Sequence, residues 1–330
     1  MKIAINGLGR IGRHLFRLAC KEDLDIVFIN EPFATAQQIK LLIQHDTVYG
    51  NLLNELQIKE DQLILPNKKI IKIFNEKDIN TLDVNQLDIL IESSGRISSP
   101  ILRELIKKNE KLHIIITCNP KEEIDQKIIY GTNQEHYDKN SRIISTMTCD
   151  VTAISPVLKR LLGFGINSVS IISMHPYLSN QHVLDNSPRE FNPNADLSLW
   201  RSAIDNLIPK QTSAAEACMQ ILPELAGKII SFQLRVPTSC VSAAFMDFEL
   251  NKEVTKEQIL DALNASAKGI IQINDEPLVS KDFANNSNSA IVDMARFIVD
   301  GNKLKILIWY DNEVGYSSRV LDVIKLIEGI

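Results

Sequence analysis

The chain has 330 residues, 45% of them hydrophobic and 23% charged, with a formal net charge of -5. That length suggests two domains, and the near-average composition excludes disordered, collagenous and coiled-coil chains. Mild acidity without a Lys/Arg cluster argues against nucleic-acid and membrane partners, no apolar run approaches the ~18 residues of a membrane span, and the absence of a secretory leader pattern makes the cytoplasm the expected location.

Taken in chain order, the alternating segment Ile3-Ala4-Ile5 runs into Asn6-Gly7-Leu8-Gly9-Arg10-Ile11-Gly12. An amphipathic helical stretch follows through residue 20, then a short apolar strand at 25–30 that ends in Glu31-Pro32. Strand, glycine turn, helix and strand make a βαβ unit. Apolar runs at 87–91 and 114–117 flank a helical segment near 101–108, which implies a parallel sheet covered on both faces. After about residue 150 the rhythm changes. Longer β-like runs at 169–174, 228–236, 241–250 and 304–310 alternate with a polar loop at 184–199 and helical stretches at 213–222 and 256–267, which reads as an antiparallel or mixed sheet. The stretch 316–327 places Tyr316, Val320, Val323, Ile324 and Ile327 on one helical face, a core-packing terminal helix.

The chain has only 13 glycines, so three in one turn stand out. Gly7, Gly9 and Gly12 sit between a predicted strand and helix, with Glu31 closing the next strand, which is the context a dinucleotide site requires. Gly7 makes the tight turn, Gly9 lets the backbone approach a pyrophosphate, and Gly12 allows close packing. The helix N-terminus supplies N–H groups and positive potential. Glu31 would accept from ribose hydroxyls and repel a 2′-phosphate, which favours NAD over NADP.

The five cysteines, Cys20, Cys118, Cys149, Cys218 and Cys240, form no CxxC pair. This argues against zinc and against a disulfide framework, and no metal is expected. Cys149 precedes an apolar-periodic run, and a cysteine at a helix start feels the positive end of the macrodipole, which favours thiolate. His175 follows the run 169–174, where a strand end can present an imidazole to a cleft. Cysteine and histidine together are the minimum for covalent acyl chemistry, with His182 in the next loop a competing base.

Several further segments carry a family resemblance: Asn30-Glu31-Pro32-Phe33, Glu92-Ser93-Ser94-Gly95, His175-Pro176-Tyr177 leading to Asp185, and Asn206-Leu207-Ile208-Pro209. Pro223-Glu224-Leu225-Ala226-Gly227-Lys228, Arg235-Val236-Pro237-Thr238 and Trp309-Tyr310-Asp311-Asn312-Glu313-Val314-Gly315-Tyr316-Ser317 complete the series. In this order and spacing the chain resembles the glyceraldehyde-3-phosphate dehydrogenase family over essentially its whole length. The resemblance implies an α/β fold, a Rossmann-type doubly wound parallel sheet plus an α+β catalytic domain with a mixed or antiparallel sheet. It further implies an NAD-binding domain at 1–148, completed by a C-terminal helix at 312–330, and a catalytic domain at 149–311. The expected assembly is a homotetramer.

By the same resemblance Cys149 is the nucleophile and His175 the general base. Asn6, Gly7, Gly9, Arg10, Ile11, Gly12, Glu31, Ser94, Thr117 and Asn312 match cofactor-binding positions. Thr148, Asp150, Arg201, Thr212, Ser213 and Arg235 fall at the substrate and phosphate positions. The implied activity is NAD-dependent oxidation of glyceraldehyde 3-phosphate through a cysteine thioester that inorganic phosphate cleaves. The chain departs from the pattern at Asp150 and Leu178, where the family has threonines, at Asn180, where it has aspartate, and at Ser213, where it has glycine. Thr152 and Ala153 replace an asparagine and a second cysteine, and the loop 185–209 is longer than usual. These departures motivate two alternatives: a divergent paralogue that oxidises another small aldehyde with hydrolytic release, and a cofactor-binding protein with little turnover.

Overall fold

A computed structural model describes residues 1–51, 55–187 and 196–329. Parts of the expected loops at 184–199 and 185–209, and the last residue of the expected 312–330 segment, lie outside the described residues. Two compact units emerge, Met1–Thr152 with Tyr316–Ile330, and Ala153–Gly315.

The first unit is built on a nine-stranded sheet. Seven strands run parallel in the order Gln126–Lys127, Ile143–Ser145, His113–Ile116, Ile89–Glu92, Lys2–Asn6, Asp25–Asn30 and Ile70–Phe74. Period-2 alternation sorts the side chains onto two faces. Ile3, Ile5, Ile89, Ile91 and Ile115 enter one core, while Ala4, Leu90, Ile114 and Ile116 enter another. Apolar residues on both faces are the mark of a parallel sheet covered twice, as the sequence pattern implies. The first core also takes Tyr316, Val320, Leu321, Val323 and Ile324 from the terminal helix Val314–Glu328.

Between residues 36 and 74 the structure adds elements that carry weak sequence signals. The helix Ala36–Gln44 starts at a capping box in which Thr35 and Gln38 exchange side-chain and backbone hydrogen bonds. Two short strands, Gln57–Lys59 and Gln62–Ile64, extend the sheet as an antiparallel edge on Ile70–Phe74. They are too short for periodicity to announce them.

The second unit holds a mixed eight-stranded sheet, in agreement with the sequence reading. Its centre is the long strand Ile166–Pro176, parallel to Ile229–Val236 on one side and antiparallel to Ser242–Leu250 on the other. Lys303–Tyr310 pairs antiparallel with Ser242–Leu250 and carries the order on towards Ala290–Asp293 and Ile271–Asn274. Among the described residues no helix is long and apolar enough to cross a membrane.

Ile5, Ile91 and Ile115 are register partners across three adjacent strands, and each is 0% exposed. Truncation of Ile91 to Ala leaves a cavity that its neighbours on both sides cannot fill. It is expected to lower the unfolding free energy by about 2–5 kcal/mol, read from a denaturant titration.

Candidate active site

The glycine turn follows directly from the strand Lys2–Asn6. Gly7 has φ +89°, and a Cβ there would stand 2.6 Å from Ser94 N, so neither the backbone conformation nor the space admits another residue. A Cβ on Gly12 would collide with the carbonyl oxygen of Gly7, so helix and turn touch only because it is absent. Gly9 is different: a Cβ there would meet nothing within 4 Å. It precedes the helix Arg10–Lys21, whose N-terminus has no side-chain cap and no acidic residue in its first turn. This uncapped helix start carries the positive local potential that a pyrophosphate needs.

Beside the turn lies a cavity of about 300 Å³ lined by Asn6, Gly7, Gly9, Glu31, Ser94 and Ile97, among others. The Glu31 carboxylate is anchored at its mouth. Oε2 accepts from the N–H of Leu8 at 2.8 Å and Oε1 from that of Phe33 at 3.2 Å. The Arg96 guanidinium lies over the Phe33 ring, 5.1 Å from its centroid, and both residues also line the cavity. The residues present fit a nucleotide: an anion-seeking helix end, a carboxylate acceptor for ribose hydroxyls, and an aromatic surface for a base. Arg10 and Ile11 form the first turn of the helix. Thr117 stands one residue past His113–Ile116, with its N–H and Oγ1 both donating to the Glu92 carbonyl.

Cys149 is the first residue of the helix Cys149–Leu161 and is half-buried. The segment leading to it turns sharply. Met147 is fully buried with φ +60°, a left-handed conformation that costs a non-glycine residue on the order of 1 kcal/mol. Three hydrogen bonds hold it and its neighbour: Met147 N–H donates to Ser145 Oγ at 2.9 Å, Tyr316 Oη donates to the Met147 carbonyl at 3.1 Å, and Tyr316 Oη pairs with Thr146 Oγ1 at 2.8 Å. Burial pushes the Tyr316 hydroxyl far above the usual tyrosine range, so it stays a donor. Asp150 is buried in the first turn, and its Oδ1 accepts from the Cys149 thiol at 3.8 Å. The carboxylate favours the helix start but opposes thiolate formation. Burial pushes Cys20 up to about 12 and raises Cys118 and Cys240, and Cys218 is 0% exposed.

In the second unit His175 and Arg235 are register partners on the parallel strands Ile166–Pro176 and Ile229–Val236, and both are buried. His175 Nδ1 lies 2.7 Å from the carbonyl oxygen of Pro176. A carbonyl only accepts, so Nδ1 carries the hydrogen and Nε2 of the neutral ring is the basic nitrogen. His182, the competing base, stacks on Trp200 in the loop and pairs with Asn186. Asn312 is buried, and its Oδ1 accepts from Ser242 Oγ at 3.4 Å, leaving its amide hydrogens for other partners. Arg201 is exposed, with Nε donating to Asp185 at 2.9 Å. Thr212 Oγ1 accepts from Ala214 N–H at 3.2 Å, and Ser213 precedes the helix Ala214–Ile221.

A family model described as "Glyceraldehyde 3-phosphate dehydrogenase, NAD binding domain" matches residues 1–100, and one described as "Glyceraldehyde 3-phosphate dehydrogenase, C-terminal domain" matches residues 148–312. This chain belongs to the glyceraldehyde-3-phosphate dehydrogenase family. It is 37% identical to glyceraldehyde-3-phosphate dehydrogenase of Geobacillus stearothermophilus, over 98% of this chain and 97% of that protein. Glyceraldehyde-3-phosphate dehydrogenase 2 of Bacillus subtilis is 35% identical over 98% and 96%, and that of Staphylococcus aureus is 36% identical over 97% and 94%. The chain is an NAD-dependent dehydrogenase, and NAD is its cofactor.

Three residues matter here that residue-by-residue reading does not single out. Met147 and Tyr316 shape the approach to Cys149, and Glu92 lies buried beneath the glycine turn. Only Glu92 leaves a local trace, a carboxylate closing an otherwise apolar strand.

Titration with a maleimide at neutral pH is expected to label Cys149 first and to leave Cys20 unlabelled in the folded protein, as peptide mass mapping would show. Removal of the Tyr316 hydroxyl by Tyr316→Phe leaves the Met147 carbonyl without its donor. It is expected to lower stability by about 1–2 kcal/mol and to slow Cys149 alkylation, measured by denaturant titration and stopped-flow labelling.

Proposed function

We propose that the protein oxidises glyceraldehyde 3-phosphate with NAD through a thioester on Cys149, which inorganic phosphate then cleaves to an acyl phosphate. The observation that carries this reading is Cys149 itself: a half-buried thiol opening a helix, in a chain whose Cys20, Cys118 and Cys240 thiols are raised by burial. Cys149 Sγ adds to the aldehyde carbon and gives a thiohemiacetal. His175 Nε2 takes its hydroxyl proton, because Nδ1 is committed to the Pro176 carbonyl. NAD, when bound, accepts the hydride from that carbon. Asn6, Gly7, Gly9, Arg10, Ile11, Gly12, Glu31, Ser94 and Thr117 hold the cofactor, and Asn312 orients its nicotinamide through the amide hydrogens that Ser242 leaves free.

Arg235 supplies a buried cation beside His175 for the substrate phosphate. Arg201, Thr212, Ser213 and Thr148 serve the attacking phosphate. Residues 1–148 with 312–330 act as the cofactor domain and 149–311 as the catalytic domain. The assembly is a homotetramer. Its support is the apolar strip of Ile172 and Phe232, in register on neighbouring strands, with Ile230 beside it at 69% exposed.

Asp150 favours a second reading, in which water releases the acid. An oxygen attacking a carbon bonded to Sγ comes close to the Asp150 carboxylate, which lies 3.8 Å from Sγ. At ~4–5 Å and an effective dielectric near 20, like unit charges repel by about 3–4 kcal/mol, a term that opposes phosphate and spares water.

The test is NADH formation from glyceraldehyde 3-phosphate with phosphate varied, and with the product identified. Phosphate-dependent turnover to an acyl phosphate, abolished by Cys149→Ala, is expected. Phosphate-independent NADH with free acid as the product would establish the second reading, and turnover surviving Cys149→Ala would end both. Asp150→Thr is expected to raise kcat/KM for phosphate by several hundredfold, the rate equivalent of that repulsion at about 1.4 kcal/mol per decade.

A further inference from the structure

Beneath the glycine turn lies a carboxylate that the chemistry at Cys149 does not use. Glu92 closes the strand Ile89–Glu92 and is 1% exposed. Its Oε1 accepts from the N–H of Ser94 at 2.9 Å and from the Ser94 hydroxyl, and its Oε2 accepts from Asn6 Nδ2. The N–H of Gly95 is a further donor. Burial pushes the carboxyl up, and the hydrogen bonds from Ser94 and Asn6 work against that by favouring the charged form.

The orientation of this network follows from backbone groups at both ends. Glu76 N–H donates to Asn30 Oδ1 at 2.9 Å, and the Glu76 carbonyl accepts from Asn30 Nδ2 at 2.9 Å, which settles which way the Asn30 amide faces. The second Asn30 amide hydrogen goes to Asn6 Oδ1 at 2.7 Å, so Asn6 must turn its own Nδ2 towards residue 92. At the far end the Ser94 N–H can only donate. Residue 92 must therefore accept on both oxygens, which a carboxylate does and an amide cannot. The Ser94 hydroxyl is consumed in the same way. Its hydrogen goes to Glu92, one lone pair takes the Arg96 N–H at 3.2 Å, and one lone pair remains. Asn6 and Ser94 line the same cavity as the Glu31 carboxylate.

We propose that Glu92 is a positioning residue that sets the hydrogen-bond polarity of the cofactor cavity: it draws the donors of Asn6 and Ser94 inward, so that the lone pair left on Ser94 and the Glu31 carboxylate are the acceptors that select ribose hydroxyls and reject an acceptor-only phosphate ester. The two walls it joins already touch, since Ser93 Oγ donates to the Gly7 carbonyl at 2.7 Å. With glutamine at position 92, one donor faces another donor, and either the Asn6 amide or the Ser93–Ser94 turn must move. The inference rests on NAD occupying this cavity. Wild-type protein that binds no NAD would overturn that placement and not the role of Glu92.

The experiment measures the Kd of NAD and of NADP on the full-length protein by isothermal titration, together with kcat at saturating NAD. Glu92→Gln is expected to weaken NAD binding about tenfold, the equivalent of one misplaced buried hydrogen bond, and to change the Kd of NADP far less. The loss falls on Kd and not on kcat. Ser94→Ala keeps the carboxylate and its other donors. It is expected to weaken NAD several-fold, and the double variant to bind no more weakly than Glu92→Gln alone, because both changes act through one contact. An unchanged NAD Kd in Glu92→Gln, or equal losses for NAD and NADP with a parallel fall in kcat, would overturn the proposal. If Glu92→Gln does not fold, Ser94→Ala decides, and wild-type NAD affinity in that variant overturns it.

Discussion

Parallel pairing forces the last residue of each strand into a common row. In the first unit that row reads Phe74, Asn30, Asn6, Glu92, Ile116 and Ser145, each the register partner of the next. The sheet interior is apolar on both faces, so polar side chains have room only where the strands end and the chain leaves for a helix or loop. The glycine turn, the Glu92 network and the approach to Cys149 all start from that row. Loss of register by one residue would send Asn6 and Glu92 into the apolar cores and bring isoleucines to the strand ends.

The second unit obeys the same constraint in a mixed sheet. Its one long parallel pair, Ile166–Pro176 with Ile229–Val236, brings His175 and Arg235 side by side at the carboxyl ends of their strands. The antiparallel strands around them supply rigidity, and Ser242, which opens one of them, holds the amide of Asn312. Asn6 and Glu92 in the first unit, and His175 and Arg235 in the second, thus stand at the carboxyl ends of paired strands.

What could be read in the sequence was what the chain encodes locally. The alternation at Ile3-Ala4-Ile5, the glycines at 7, 9 and 12, and Glu31 closing the next strand lie within 30 residues of one another, and each has its own stereochemical reason. The four strands of the mixed sheet that were legible run for eight residues or more, while Ile208–Lys210, Ile271–Asn274, Ala290–Asp293 and Ile298–Asp300 are too short to show a period. The helix Ala36–Gln44 and the edge strands at 57–64 were not legible either, because they are short and depend on neighbours. Glu92 and Asn6 are 86 residues apart, and Tyr316 reaches Thr146 across 170. No periodicity reports such pairs. The left-handed turn at Met147 is imposed by those distant partners on a residue that would not choose it alone.

The bond between His175 Nδ1 and the carbonyl of the very next residue has a bearing on how this site tolerates sequence change. Histidine bases are commonly oriented by an aspartate or asparagine side chain from elsewhere in the fold, and a single substitution of that partner disables them. Here the orienting group is main chain. It is not a side chain, so no substitution elsewhere in the chain removes this particular hydrogen bond. The tautomer of this imidazole is thereby fixed from the same strand that carries it.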